Sequence, residues 1–499
     1  MEYIPYIIDS FRGGISDEQT RGIKGAFKYA YGVDIHKRRD SLSCNWAMLT
    51  IGTSTQVNDL VKYTIQGRDG STYAMGNAGS VYAISGKVDD PVLTYVYTDY
   101  NGEIKGAAEW KQSDGNTYLH WATNTSIARM TFNGSPDMPL TGSGVVTADY
   151  IATLDSADYH PMKNAAGQLN IGNGNFLAVI DYQGNWNNAS MNLRPGNIIK
   201  TLDERDDYVL IGTERGDEAE EGHIWAWVTT DLNWFKKKKI PVKGVNALID
   251  TERLLLQGGI NGEIFYSDFA NTAPLNSIPN GGQINPGGIT VYNDLALMGF
   301  YGAGDQSGLY SYGRKSINRP FVLNQEFRLK ETSNGNTVKE IGSIWMNSAA
   351  VFASWKSEGS TTYYGIDMAS TTTRASARIE GLEFTGESPH LNKHFKSLKA
   401  VMEPLPSGTS LSVIYKANRA TTSGDDSNSS AGSGWRYARV GSGTDTTFST
   451  TDITEVDFTI DANGRVFEVG VEMTPSGMST PEVTALVGYI SKETEEYGS

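Results

Sequence analysis

Six histidines are the first residues to test for chemistry: His36, His120, His160, His223, His390 and His394. Only His390 and His394 stand four apart, a spacing that on a helix would put both imidazoles on one face, as a metal site requires. Their surroundings, Pro389-His390-Leu391-Asn392-Lys393-His394, lack the Glu of a metalloprotease motif, so they read as an exposed pair on a connecting segment. Hydrolysis of a glycosidic bond needs two carboxylates facing each other across a cavity. Asp181, Asp250, Asp268, Asp294 and Asp367 each fall at a strand end or turn, where aspartate usually hydrogen-bonds its own backbone. Gly302-Ala303-Gly304-Asp305 lacks the Lys and the helix of a phosphate-cradling loop. The single cysteine, Cys44, excludes an internal disulfide and a thiolate zinc cluster. The residues thus predict no catalytic group, no metal ligand and no cofactor.

What remains is charge. Lys37, Arg38 and Arg39 form one basic cluster, and Lys236, Lys237, Lys238 and Lys239, after Trp234-Phe235, form a sharper one. Both are candidate partner contacts, for an acidic neighbour, DNA or lipid headgroups. The plainer reading of Lys236–Lys239 is a solvated loop between the fourth and fifth repeats, where lysine discourages strand pairing. The whole chain carries 42 Lys+Arg against 57 Asp+Glu, a formal charge of −15 over 499 residues. That balance argues against a general nucleic-acid binder, which needs a basic footprint. It makes another acidic copy of the same chain a plausible partner for the lysines.

These groups need a scaffold, and the composition describes one. Glycine is abundant, at 55 residues, and charged residues are only 20% of the chain, while 26 Tyr, 16 Phe and 10 Trp are present. Gly-rich turns among aromatic and β-branched runs predict an all-β protein of many short strands. No apolar run reaches about 18 residues, so no membrane-spanning helix is expected. The opening Met1-Glu2-Tyr3-Ile4-Pro5-Tyr6-Ile7-Ile8-Asp9 has too short an apolar stretch for a secretory signal.

A repeat organises the strands. Asp69-Gly70-Ser71-Thr72-Tyr73 returns as Asp114-Gly115-Asn116-Thr117-Tyr118, an offset of 114 − 69 = 45 residues. Asp-Gly beside β-forming runs is a strong hairpin signal. Degenerate versions follow at Phe176–Ile180, Tyr208–Gly212, Leu254–Gly258, Leu295–Gly299 and Ala350–Ser354. The last four lead into aromatic partner strands, such as His223–Trp227 and Thr362–Ile366. Seven units near 45 residues predict a seven-bladed β-propeller over residues 46–380. The third unit is the least regular, and a series of hairpins in separate sandwiches is the alternative. Residues 1–45 read as an N-terminal arm whose Tyr31-Gly32-Val33-Asp34-Ile35 could join the last blade and latch the ring. Residues 381–499 show period-two strands, such as Ser410–Tyr415 and Val466–Met473, and predict a β-sandwich. Within it, Thr421–Gly434 has the composition of a mobile loop.

Several segments resemble tail and neck proteins of tailed bacteriophages. They are Phe11-Arg12-Gly13-Gly14-Ile15-Ser16, Gly32-Val33-Asp34-Ile35 and Tyr310-Ser311-Tyr312-Gly313-Arg314-Lys315. The C-terminal series is similar too: Phe395-Lys396-Ser397-Leu398-Lys399, Glu403-Pro404-Leu405, Ser412-Val413-Ile414-Tyr415-Lys416 and Trp435. The resemblance implies a non-enzymatic virion component, a nozzle or tail-hub protein made in the host cytoplasm. It would dock other tail or neck proteins, and itself, in a symmetric assembly, or serve host attachment. The alternative is a carbohydrate-binding or glycoside-hydrolysing propeller, with Trp225, Trp227, Tyr363 and Tyr364 stacking a host surface glycan.

Overall fold

The computed structural model describes residues 2–491 except 17–24, 37–39, 52–56, 68–71, 88–89, 99–101, 132–148, 217–220, 279–280, 302–306, 330–336, 348–349, 385–389 and 419–428. Among the described residues there are 42 strands and no helix. Among the described residues no helix is therefore long and apolar enough to cross a membrane. The strands fall into seven four-stranded sheets and two seven-stranded ones. Two compact units result: residues 49–309 with 329–369, and residues 1–48 with 310–328 and 370–499.

The four-stranded sheets are numbered here along the chain by their first strands: Val61–Gln66 in sheet 1, Gly106–Lys111 in sheet 2, Met162–Ala165 in sheet 3 and Asn197–Arg205 in sheet 4. Sheets 5, 6 and 7 begin with Val245–Asp250, Ile289–Tyr292 and Thr337–Asn347. Sheets 1 to 6 are meanders of four consecutive strands, the repeating unit of a β-propeller. Each first strand packs against the first strand of the next sheet, and that of sheet 7 packs against that of sheet 1. The cycle closes, so the first strands surround a common centre. Part of the glycine excess has its reason there. A Cβ at Gly106 would overlap the His160 carbonyl, and one at Gly342 the Val61 carbonyl, so the backbones of neighbouring sheets could not approach as they do.

Two expectations need correcting. The third repeat looked irregular because Phe176–Ile180 is the third strand of its sheet, whereas Tyr208–Arg215 and Leu254–Gly258 are second strands. The true second strand, Gln168–Asn173, contains the fully buried Asn170, whose Nδ2 donates to the Ala165 carbonyl (3.0 Å). Its polar sequence hid it, and the apolar neighbour was taken in its place. The latch also lies elsewhere. Trp46–Thr50 is the fourth strand of sheet 7; Thr50 Oγ1 donates to Asp367 Oδ1 (2.8 Å), and Ile51 N, just past the strand, donates to the Ile366 carbonyl (2.9 Å). Tyr29–Tyr31 instead pairs with Ala377–Phe384, and Val33–Asp34 with Leu42–Cys44.

The second unit contains both seven-stranded sheets, and some of their strands, Glu455–Gly464 among them, alternate buried and exposed side chains. One apolar core serves both sheets, with Phe27, Leu398, Val413, Phe458, Val471 and Leu486 fully buried in it. The N-terminal segment is integral to this unit. Tyr3–Ile8 pairs along Glu482–Ser491, and Phe11 is fully buried. Of the expected loop Thr421–Gly434, residues 421–428 lie outside the described residues, while Ser430–Gly432 is a short strand on Trp435–Tyr437.

Candidate functional site

The first strands enclose a cavity of about 790 Å³ at the centre of the sheet cycle. Tyr63 and Thr64 from sheet 1, Lys163 from sheet 3, Asp203 from sheet 4, Asp250 from sheet 5 and Ser343 from sheet 7 line it. This is where paired carboxylates would have to act; Asp203 and Asp250 are engaged here, and Glu204 and Asp206 line the same cavity. Lys163 Nζ lies 2.7 Å from Asp203 Oδ1, and Asp250 N donates to Asp203 Oδ2 (2.8 Å). Arg205 grips the Asp250 carboxylate through Nε (2.5 Å) and a second guanidinium nitrogen. That carboxylate raises the Arg205 pKa further above its ordinary value. A Lys–Asp–backbone–Asp–Arg chain therefore stitches sheets 3, 4 and 5 together across the cavity wall. Such pairing holds the ring in shape and leaves neither aspartate as an uncommitted acid or base.

The other aspartates are not brought together. Asp181 caps its own turn, accepting from Asn185 N (2.8 Å) and Asn185 Nδ2 (2.9 Å). Asp268 accepts from Asn271 N, which holds its carboxyl below the usual range. Asp294 occupies a positive-φ position after Asn293, and Asp367 is fully buried under Trp355 Nε1 (2.8 Å) and Thr50 Oγ1. The sequence missed Lys163, Asp203 and Arg205. Its one visible signal was the charged run Asp203-Glu204-Arg205-Asp206-Asp207, ending an otherwise apolar strand.

The histidines also separate. His394 lies on a strand, not a helix, with Nδ1 3.0 Å from Tyr3 Oη and Nε2 2.8 Å from Asp461 Oδ1. His390 stands outside that strand and is exposed, so the four-residue spacing has no helical meaning. His160 is buried between the Gly172 carbonyl (2.8 Å) and the Asn124 carbonyl (3.1 Å). His120 is wholly buried in sheet 2, and burial, with Arg129 adding to it, lowers its pKa to about 3. Burial lowers His160 as well. Both histidines take up protons in the unfolded chain near pH 6.5 but resist doing so when folded. Stability therefore falls on acidification below that value, by up to about 1.4 kcal/mol per pH unit for each histidine. Urea unfolding at pH 7 and pH 5 should show this loss, and His120→Leu should reduce the slope. Among the described residues, no group of three or more His, Cys, Asp or Glu is placed to hold a metal ion.

Lys37, Arg38 and Arg39 lie outside the described residues. Lys236 to Lys239 are described, and they are strand rather than loop. Lys236–Ile240 is the fourth and outermost strand of sheet 4. Strand alternation splits the run between two faces. Lys237 lies 4.5 Å above the Trp225 ring, and Lys239 forms an ion pair with Glu221. Lys236 approaches Phe235 (5.3 Å) and Phe269 (5.9 Å), and Lys238 Nζ donates to the Ala270 carbonyl (2.5 Å). Trp225 and Trp227, candidates for sugar stacking, are 0% and 2% exposed and pack in the core between sheets 3 and 4. Their indoles are committed too, Trp225 Nε1 to Thr213 Oγ1 (3.0 Å) and Trp227 Nε1 to the Asp231 carbonyl (2.8 Å).

No protein-family model matches the chain, and no curated protein matches it. Among solved structures, it is similar to the WD40 β-propeller domain of Doa1, at 13% identity and a TM-score of 0.44, over 65% of this chain and 97% of that one. It is similar to YCF48 bound to D1 peptide at 11% identity and 0.43, over 66% and 95% of the two chains. For YjhT the values are 14% and 0.37, over 53% and 97%. These partial likenesses transfer no ligand or partner to this chain.

Proposed function

We propose that the seven four-stranded sheets are the blades of a seven-bladed β-propeller and that the two seven-stranded sheets are the layers of a β-sandwich. The chain then acts as a non-enzymatic structural component of a tailed-phage particle. It works at the tail or neck as a docking platform in assembly or host attachment, repeated in a symmetric homo-oligomer beside other tail and neck proteins. The observation that carries this reading is the state of the ring interior. Two of its acidic residues brace neighbouring sheets, Asp203 through Lys163 and Asp250 through Arg205. A cross-braced closed ring suits a part that must hold its loops in fixed positions. No comparable observation favours the glycan reading. Trp225 and Trp227 are core residues of sheet 4, and Tyr363 and Tyr364 are half-buried in sheet 7, so the four form no shared aromatic platform.

The test is direct. Density-purified particles from cells infected with a phage encoding this chain should contain the 54.3 kDa polypeptide in a fixed multiple per particle. Interrupting its gene should yield particles with incomplete tails or necks. Complete, infective particles lacking the polypeptide would refute the structural role.

A further inference from the structure

We propose that the outer edge of sheet 4 is a docking site for an extended acidic segment of a partner polypeptide, which adds alongside Lys236–Ile240 as a fifth strand. The argument starts from how the neighbouring edges are protected. In sheets 1, 2, 3 and 5 the pairing of third and fourth strands slips in register, and the outer strand of sheet 5 also carries Pro274. Bulges and prolines blunt an edge against any incoming strand, whatever its sequence. Sheet 4 differs. Its outer pairing runs from Gly222↔Ile240 to Ala226↔Lys236 without a slip, and Lys236–Ile240 ends the sheet. Its remaining protection is four lysines.

A guard made of charge discriminates by sign. It repels basic strands, sets a desolvation cost against neutral ones, and offers an acidic strand complementary partners at alternate positions. Those cations are largely unspent. Among the described residues, neither Lys236, Lys237 nor Lys238 is ion-paired with a carboxylate, while Lys239 is shared with Glu221. On the Lys237 face, burial and the nearby Arg194 and Arg215 guanidiniums push the Lys237 pKa below its ordinary value, as for a cation short of an anion. An added strand with alternating carboxylates presents them all on one face, where they would meet Lys237 and Lys239 or, in the other register, Lys236 and Lys238. A peptide fits this better than a nucleic acid does. The cations alternate between two faces at strand spacing, along an edge only five residues long, on a chain of charge −15. Past the lysines, Phe235 and Leu232 are 39% and 89% exposed and offer apolar contact to the end of the incoming segment.

The proposal does not rest on the virion reading. A chain that enters particles with this edge disabled would keep that reading and lose this one. The probe is a fluorescein-labelled ten-residue peptide alternating Glu and Thr, read by anisotropy against the full chain. The control replaces every Thr with Pro, which keeps the charge but removes the alternate N–H groups. Binding is expected to weaken at least tenfold with the Pro control, and likewise in the Lys237→Glu/Lys238→Glu variant, whose exposed edge leaves folding intact by thermal melt. Bound peptide should also slow amide exchange across residues 236–240. Equal binding of the Pro control would overturn the proposal in favour of a simple anion patch. So would binding to heparin or to phosphatidylserine vesicles without binding to the peptide, or a variant that binds the peptide unchanged.

Discussion

Replacing Phe27 with alanine should cost the two-sheet unit about 3–5 kcal/mol, the usual range for emptying a buried aromatic site. Phe27 is completely buried, and its backbone is fixed as firmly as its ring. Phe27 N donates to the Gly14 carbonyl (3.0 Å), and Ser16 N donates to the Phe27 carbonyl (3.0 Å). The core around it includes Ile379, Leu398, Phe458 and Val471, which come from strands more than 300 positions later in the chain. Hydrogen exchange resolved by segment measures the effect. Amides of Ala377–Phe384 and Phe467–Thr474 should lose protection, while those of Gln168–Asn173 and Phe176–Ile180 should keep theirs. A free N-terminal arm would leave both sets unchanged. Deleting residues 1–20 should therefore do more than weaken docking to a partner, because it removes Phe11 and the Tyr3–Ile8 strand from the fold.

The second large effect concerns His36. Its Nε2 lies 3.1 Å from Glu326 Oε1, with both side chains 4% exposed. Ser311 Oγ donates to the same oxygen (2.6 Å), and Asn45 Nδ2 donates to Oε2 (2.9 Å). Burial alone would raise the Glu326 pKa. The neighbouring His36, followed by the hydrogen bonds from Ser311 and Asn324, outweighs it and holds the carboxyl below its ordinary value. A carboxyl lowered in this way contributes stability above its unfolded pKa, near 4.3, and that contribution is lost as pH falls through the folded value. His36→Ala removes the main offset and should cost about 3–5 kcal/mol, the range for breaking a buried pair, because a buried carboxylate loses its principal partner. The sign then reverses. In the variant burial prevails, the folded carboxyl holds its proton more tightly than the unfolded one, and the deficit should shrink as pH is lowered from 7 to 5. Urea unfolding across that range tests it, and Glu326→Gln added to His36→Ala should recover much of the loss. A deficit that stays constant with pH would mean that His36 acts by packing alone.

Much of the seven-sheet unit was legible because hairpins announce themselves locally. Asp69-Gly70 and Asp114-Gly115 set the period, and the runs at Leu254 and Leu295 kept it. The error in the third repeat was also local, since Asn170 made a fully buried strand look like a turn. What the sequence could not indicate was long-range pairing. Tyr29–Tyr31 and Val33–Asp34 are three and two residues long, too short for periodicity to say which sheet they enter. His36 shows the same limit at the candidate sites. In sequence it is one of six scattered histidines, next to the basic Lys37, Arg38 and Arg39, whereas the fold buries it against a glutamate 290 positions away. In the cavity, Asp250 was visible as a strand-end aspartate, but its engagement by Arg205 follows from the cross-strand position of sheets 4 and 5. Lys236–Lys239 was legible as charge and misread as loop, because lysine has little strand preference of its own.

The pairing of Tyr3 with Ser491 has a consequence for how the chain is made. A ribosome releases the first strand of the two-sheet unit long before its partner exists. At roughly 5–20 residues per second, the 491 − 3 = 488 intervening positions take about 25–100 s to synthesise. Residues 49–51 wait in the same way for Ile366 and Asp367. Sheets 1 to 5 can each form as their own hairpins emerge, so nascent chains should acquire protected meanders early and both closures last. During that interval Tyr3–Ile8, Phe11 and Phe27 are unpaired apolar segments at the leading end of the polypeptide. Newly made chains are therefore the species most exposed to aggregation, and a translation pause at either residue 200 or residue 370 would lengthen that exposure by its own duration.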